Sequence, residues 1–200
     1  MNHLAKFATC ALLAIAPLAH AKCDCNNLLI NGSFEESLFL PSTWATIPGN
    51  DNTSIVGWET VGSGVEWYKD TDDTGKNPDG DYAIDLNNYR SEDGGGIQQS
   101  FATSAGARYL VQFYASTQKS AGRLGTAKLS VSIGDESYVF NLKTDESKSD
   151  WTYFSFSFKA TDTLSTLKLT TNTDSLKSFT NIDNVSVTHI CGPKAVLIDL

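Results

Sequence analysis

The chain has 200 residues, with 15 Lys and Arg against 23 Asp and Glu, a net charge of −8 at pH 7. That balance, with no basic cluster, excludes a nucleic-acid partner, because phosphate binding needs grouped Lys and Arg. The length suits one domain with a proper core, and no apolar stretch reaches the roughly 20 residues that a spanning helix needs.

The first predicted element is a secretory signal. Lys6 gives a basic start, Phe7 to Leu18 is apolar apart from Thr9 and Pro17, and Ala19-His20-Ala21 fits a small-x-small cleavage site. Residues 1–21 are therefore read as a signal peptide and residues 22–200 as a single secreted β-sandwich domain. Lys22 directly precedes Cys23, which disfavours a lipoprotein anchor. Loss of Cys10 with the signal leaves Cys23, Cys25 and Cys191 in an oxidising compartment. Cys191 is expected to pair with Cys23 or Cys25, tying the two ends of the domain together.

Pro41 to Gly96 is rich in Gly, Asp and Asn and holds Trp44, Trp58, Trp67, Tyr68, Tyr82 and Tyr89. This composition is read as functional loops. From Tyr109 onward the chain reads as strands. Apolar residues alternate at Tyr109, Val111, Phe113 and Ala115, at Leu129, Val131 and Ile133, and at Phe154, Phe156 and Phe158. Further runs follow at Leu164, Leu167 and Leu169 and at Ile182, Val185 and Val187. A period of two marks strands with one buried face, and Gly, Asn, Asp and Ser clusters separate them. The fold class is all-β, an antiparallel β-sandwich of jelly-roll type.

Five segments occur in order: Asn31-Gly32-Ser33-Phe34-Glu35, Ile55-Val56-Gly57-Trp58, Asp79-Gly80-Asp81-Tyr82-Ala83-Ile84-Asp85-Leu86, Gly95-Gly96-Ile97-Gln98-Gln99-Ser100-Phe101 and Ile182-Asp183-Asn184-Val185-Ser186-Val187. Together they resemble the domain of unknown function 642 and its bacterial cousins, the choice-of-anchor C proteins, within the galactose-binding-like jelly-roll superfamily. The resemblance covers nearly all of the chain after the signal. It implies a secreted or cell-wall-associated β-sandwich and supplies no catalytic residues. After Val187 there is no Pro-Glu-Pro motif, apolar segment or basic terminus, so the protein is expected to be released rather than anchored. Related jelly-roll carbohydrate modules hold a structural calcium ion, and the resemblance places its ligands at Glu35 and Asp183. The alternative is that these carboxylates only hydrogen-bond turn backbone.

Asp70 to Asp81 matches an EF-hand loop at Asp70, Asp72 and Gly75. It ends on Asp81 rather than Glu and lacks helical flanks, so a solvated turn is the better reading. Sugar rings stack on Trp and Tyr while their hydroxyls seek carboxylate, amide or Arg partners. Trp67, Tyr68, Tyr89 and Arg90, with Glu66 and Gln98, form the expected binding set. Trp67 and Tyr68 project to opposite faces of a strand, so at most one is core on a one-sided sheet, and Trp58 is expected in the core. His189 is the only histidine after cleavage, which starves triad and zinc chemistry. Asn31, Asn52 and Asn184 open glycosylation-type triplets. The leading function is a secreted, non-catalytic carbohydrate-binding or cell-wall module with a glycan partner. The alternatives are a structural or adhesive protein that binds other proteins and, behind it, a glycoside hydrolase.

Overall fold

A computed structural model describes residues 26–71, 74–88 and 93–191. The signal segment and two of the three remaining cysteines, Cys23 and Cys25, lie outside the described residues, as do Tyr89 and Arg90. The described residues contain no helix and form eleven strands in two sheets. One sheet has the order β1 (Trp44–Ile47), β3 (Val65–Lys69), β4 (Tyr82–Asp85), β11 (Asn181–His189), β6 (Arg108–Ser116), β9 (Thr152–Lys159). The other runs β2 (Glu59–Gly62), β5 (Gly95–Ala102), β10 (Leu164–Thr171), β7 (Thr126–Ile133), β8 (Glu136–Lys143). All strand pairs are antiparallel, and most neighbours are not consecutive in sequence, as in a jelly roll.

The alternating runs become β6, β7, β9, β10 and β11. Val111, Phe113, Leu129, Val131, Leu167, Leu169 and Val187 meet in the core between the sheets. Trp58 and Phe34 join them, with ring centroids 5.4 Å apart. The Gly- and Asp-rich stretch read as loops in fact carries four short strands and the start of β5. In β4 all four residues are buried, so the strand has no polar alternation to announce it.

The signature segments are joints of this scaffold. Val185 N–H donates to Gly32 O at 2.8 Å, and Asn27 accepts from Val187 N–H at 2.9 Å, so the first described segment is stitched to β11 at its bulge. Trp58 Nε1 donates to Asn31 O at 2.9 Å, and Trp67 Nε1 to Phe34 O at 3.2 Å. A Cβ on Gly95 would sit 1.7 Å from Gly64 O, and one on Gly96 2.3 Å from Leu169 O, so strands and turns pack backbone against backbone there. No helix among the described residues is long and apolar enough to cross a membrane.

Candidate functional site

The outer face of the six-stranded sheet, away from the core, carries an aligned polar row. Register pairs Thr46 with Glu66, Glu66 with Asp85, Asp85 with Asn181 and Asn181 with Ser116. These residues occupy one face because side chains directly opposite in a ladder share a side. The neighbouring row pairs Trp44 with Tyr68. Where the rows meet, a cavity of about 270 Å³ opens, lined by Trp44, Glu66, Tyr68, Asp85, Gln118 and Asn181, with Phe179 in its wall and Thr71 and Thr74 also lining it.

The floor is built of buried polar groups. Asp85 is 3% exposed, and its Oδ1 accepts the N–H groups of Thr180 at 2.8 Å and Asn87 at 3.1 Å. Burial pushes this carboxyl up to about 8, and the Glu66 charge adds to the rise. The two backbone donors and the Arg123 guanidinium oppose it. Asn181 Nδ2 donates to Ser116 Oγ and Ser149 Oγ at 3.2 Å each. Ser149 Oγ in turn donates to Gln118 Oε1 at 2.9 Å, and Gln118 Nε2 to Ser120 Oγ at 2.8 Å. The network fixes the amides before any ligand arrives.

Tyr68 is the exception. Its hydroxyl is buried and makes no hydrogen bond to a described residue. Burial holds its proton well above the usual tyrosine range, and the Asp85 charge acts the same way. Ser149 is close enough to favour the phenolate, but its own proton is committed to Gln118. An unpaired buried hydroxyl costs about 1–3 kcal/mol, a deficit that a polar ligand in the cavity would remove.

Trp44 stands beside this floor on the edge strand β1 and is 54% exposed. Opposite it, Phe179 is backed by Arg123, whose guanidinium lies 4.5 Å from the ring centroid and donates to the Ser175 and Ala121 carbonyls. The nearby lysines are engaged elsewhere. Lys69 Nζ lies 3.2 Å from Asp81 and over the Tyr82 ring, and Lys76 Nζ lies 2.7 Å from Asp70.

Of the expected binding residues, Glu66 and Tyr68 line this cavity and Trp67 does not. Trp67 is fully buried in the core, against Phe39 and Tyr82. The two aromatics do face opposite sides of β3, with Trp67 in the core and Tyr68, itself buried, lining the cavity. Gln98 sits on the other sheet, bonded through Nε2 to Glu59 at 2.8 Å, and is no part of this cavity. Tyr89 and Arg90 fall outside the described residues. Trp44, Asp85, Gln118, Phe179 and Asn181 were not picked out by pattern. One signal did exist, since Asp85 is an acid inside an otherwise apolar run, Tyr82-Ala83-Ile84-Asp85-Leu86.

Glu35 and Asp183 converge on the 79–82 turn. Glu35 Oε1 accepts from Asp81 N–H at 2.9 Å and Tyr82 N–H at 2.7 Å. Asp183 accepts from Asp79 N–H at 2.9 Å and from Asn184 N–H at 2.6 Å. Burial pushes Asp183 up to about 8, and the Asp79 and Glu35 charges push the same way. Among the described residues, no group of three or more His, Cys, Asp or Glu side chains is arranged to hold a metal. Within Asp70–Asp81, Thr71 bridges to Gly75, the Thr71 N–H donates to Thr74 Oγ1 at 2.9 Å, and Lys76 pairs with Asp70 at 2.7 Å. His189 packs its ring 5.2 Å from Tyr109 at the end of β11. Cys191 is disulfide-bonded, while Cys23 and Cys25 lie outside the described residues.

Comparison with known proteins places this fold. No curated protein matches the sequence. Among solved structures, the chain is similar to TmCBM61 in complex with β-1,4-galactotriose, with TM-score 0.52, 16% identity, and coverage of 82% of this chain and 99% of that one. It is also similar to a putative sugar binding protein from Bacteroides thetaiotaomicron, with TM-score 0.54, 13% identity, and coverage of 82% and 100%. A third likeness is to an arabinose-bound α-L-arabinofuranosidase, MgGH51, with TM-score 0.52, 12% identity, and coverage of 82% of this chain but only 26% of that one. At these identities the likeness establishes the jelly-roll fold. The family model described as "Protein of unknown function (DUF642)" matches residues 27–193, and the chain belongs to that family.

Proposed function

We propose that the protein is a secreted, non-catalytic carbohydrate-binding module, and that its site is the cavity on the outer face of β1, β3, β4 and β11. The observation that carries this reading is the pairing of two features in adjacent rows. Trp44 offers an exposed aromatic face, and beside it lie a buried, unpartnered Tyr68 hydroxyl and the buried Asp85 carboxyl. A sugar ring is amphipathic in the same way, with an apolar C–H face and polar edges. Trp44 would stack on the face, while Tyr68, Asp85, Asn181 and Gln118 fix the hydroxyls. The β-1,4-galactotriose bound to TmCBM61 and the description of the Bacteroides thetaiotaomicron protein as sugar binding support the class. A glycan array probed with the secreted protein tests the reading. Binding to a defined sugar class that Trp44→Ala abolishes supports it, and a blank from folded protein rejects it.

A structural calcium ion belongs to the same proposal. Glu35 and Asp183 would hold it, with backbone carbonyls for the remaining ligands. Mutual repulsion of these acids around one turn supports a cation there.

A second reading, adhesion to a protein partner, is favoured by one feature. Leu38, Phe39 and Leu40 are exposed in the segment leading to Trp44. Binding that survives Trp44→Ala but fails when Leu38 and Leu40 become Ser would favour it.

A further inference from the structure

The five-stranded sheet carries a second concavity on its outer face, and its chemistry is cationic. Ala127, Leu129 and Leu142 face the core, so Lys128, Asn141 and Lys143 face outward from β7 and β8. Lys128 stands directly across from Asn141, and Lys143 follows Asn141 on the same side of β8. The β10–β11 connection brings Lys177 beside them, and the β6–β7 connection brings Leu124. The cavity they line measures about 400 Å³, within the roughly 300–1,000 Å³ of small-molecule sites. Its frame is stitched by backbone. Leu124 N–H donates to Lys177 O at 2.9 Å, Thr144 N–H to Gly125 O at 2.8 Å, and Thr171 Oγ1 to Lys128 O at 3.0 Å. In a chain of net charge −8, Lys128 and Lys143 sit on adjacent strands with no carboxylate partner among the described residues. Of the acids that follow Lys143, Asp145 is held by Lys119 at 3.4 Å, Asp150 accepts from Thr144 Oγ1 at 3.0 Å, and Glu146 pairs with neither lysine. Lys177 Nζ lies 3.2 Å from Asp174, so it contributes a shared charge rather than a free one.

We propose that this cavity is a second ligand site, sharing no lining residue with the one beside Trp44, and that it takes a sugar residue bearing an anionic group, a carboxylate or a sulfate. Lys128 and Lys143 take the anion's oxygens, and the exposed Asn141 amide between them donates to a third acceptor. Hydrogen bonds of this charge-assisted kind are about twice as strong as neutral ones. Leu124, 60% exposed, gives the uncharged body of the ring an apolar contact. Two other anionic partners fit less well. The cavity lies over the β7–β8 ladder, whose facing N–H and C=O groups already pair with one another, so an extended peptide finds no open edge in it. Nucleic acid draws its affinity from a long row of phosphate contacts, which three lysines at one concavity do not supply.

The test is calorimetric titration of the full secreted chain at pH 7 and low salt. The probes are oligogalacturonate with its uncharged methyl ester, a sulfated galactan oligosaccharide with its desulfated form, and polyglutamate as a polyanion without sugar. At least one acidic glycan should bind about tenfold or more tighter than its uncharged counterpart, and the pair that shows the preference names the anion. Lys128→Gln combined with Lys143→Gln should erase that preference to within about threefold, while Lys128→Arg with Lys143→Arg keeps it. Both lysines are exposed, so neither pair of changes disturbs the core. Arg108→Gln with Lys159→Gln removes the same charge from a register pair on the other sheet and should shift affinity by less than about twofold. Trp44→Ala should leave acidic-glycan binding unchanged. The inference is overturned if neither acidic glycan is preferred, if the control pair loses as much as the lysine pair, if polyglutamate binds as tightly as the glycan, or if Trp44→Ala abolishes the binding. Each of those results leaves the Trp44 cavity to its own array test. Acidic-glycan binding that depends on Lys128 and Lys143, from a chain that binds no neutral glycan, would instead reject the Trp44 reading and leave this site standing.

Discussion

Gly32 and Val185 meet backbone to backbone. A Cβ at position 32 would stand 1.9 Å from the Val185 carbonyl oxygen, and Val185 N–H donates to Gly32 O at 2.8 Å. The contact joins the first described turn to the bulge of β11, between Asp183 and Ser186. The obstacle is backbone carbonyl, which has no rotamer to escape into.

Gly32→Ala should therefore destabilise the fold by about 2–4 kcal/mol, the range of severe steric and backbone lesions. Urea denaturation measures it as a lower midpoint at constant slope. A change within 0.5 kcal/mol would show that the turn can slide away from β11.

Trp44 and Trp67 should separate binding from stability. Trp67 is wholly buried, and replacing it with Ala should cost about 3–5 kcal/mol. Trp44 is more than half exposed on an edge strand, and Trp44→Ala should leave the urea midpoint within about 0.5 kcal/mol of the native chain while removing sugar binding. Calorimetry with the glycan found on the array reads both. Retained binding by Trp44→Ala would move the site elsewhere.

Asp85 makes stability depend on pH with a definite sign. The unfolded chain releases this proton near its ordinary value of 3.8, whereas the folded chain holds it to about 8. Between those values the folded state binds more protons, so stability falls as pH rises from about 4 to about 8 and levels off above. Asp183, also raised to about 8, acts in the same direction when no cation neutralises it. Thermal unfolding should thus show a higher Tm at pH 5 than at pH 8.5. Asp85→Asn should shrink that difference, gaining roughly 1–3 kcal/mol at pH 8.5. An unchanged pH profile in the variant would mean that Asp85 titrates as an ordinary acid.

Calcium, if it binds at Glu35 and Asp183, stabilises by mass action. At a hundredfold excess over Kd the gain is about 2.7 kcal/mol, which corresponds to a Tm rise of roughly 5–10 °C for a domain of this size. Differential scanning calorimetry with calcium and with chelator measures it. Asp183→Asn should abolish the difference. An identical Tm in both conditions would leave the two carboxylates as clasps of the 79–82 turn alone.

The sequence by itself determined the sheet-forming half of the molecule. Strands such as β7 and β10 alternate because one face meets the core and the other meets water, a local pattern that needs no knowledge of partners. The signature segments were legible for a related reason. Gly32, Gly80, Gly95 and Gly96 stand where backbone or a carboxylate passes too close for a Cβ, Gly80 being 2.4 Å from the Glu35 carboxylate by that measure. Such joints admit little variation, so the family signature describes a scaffold.

The cavity was decided by tertiary structure. Trp44, Tyr68, Asp85, Asn181 and Gln118 come from five separate places in the chain, and the registers of β1 on β3, β3 on β4, β4 on β11 and β11 on β6 bring them together. β3 illustrates the limit. Trp67 and Tyr68 are adjacent aromatics on opposite faces, and nothing local says which face meets the second sheet and which meets a cavity. That choice depends on which strand lies on either side and on what covers the outer face, neither of which is a property of the segment itself.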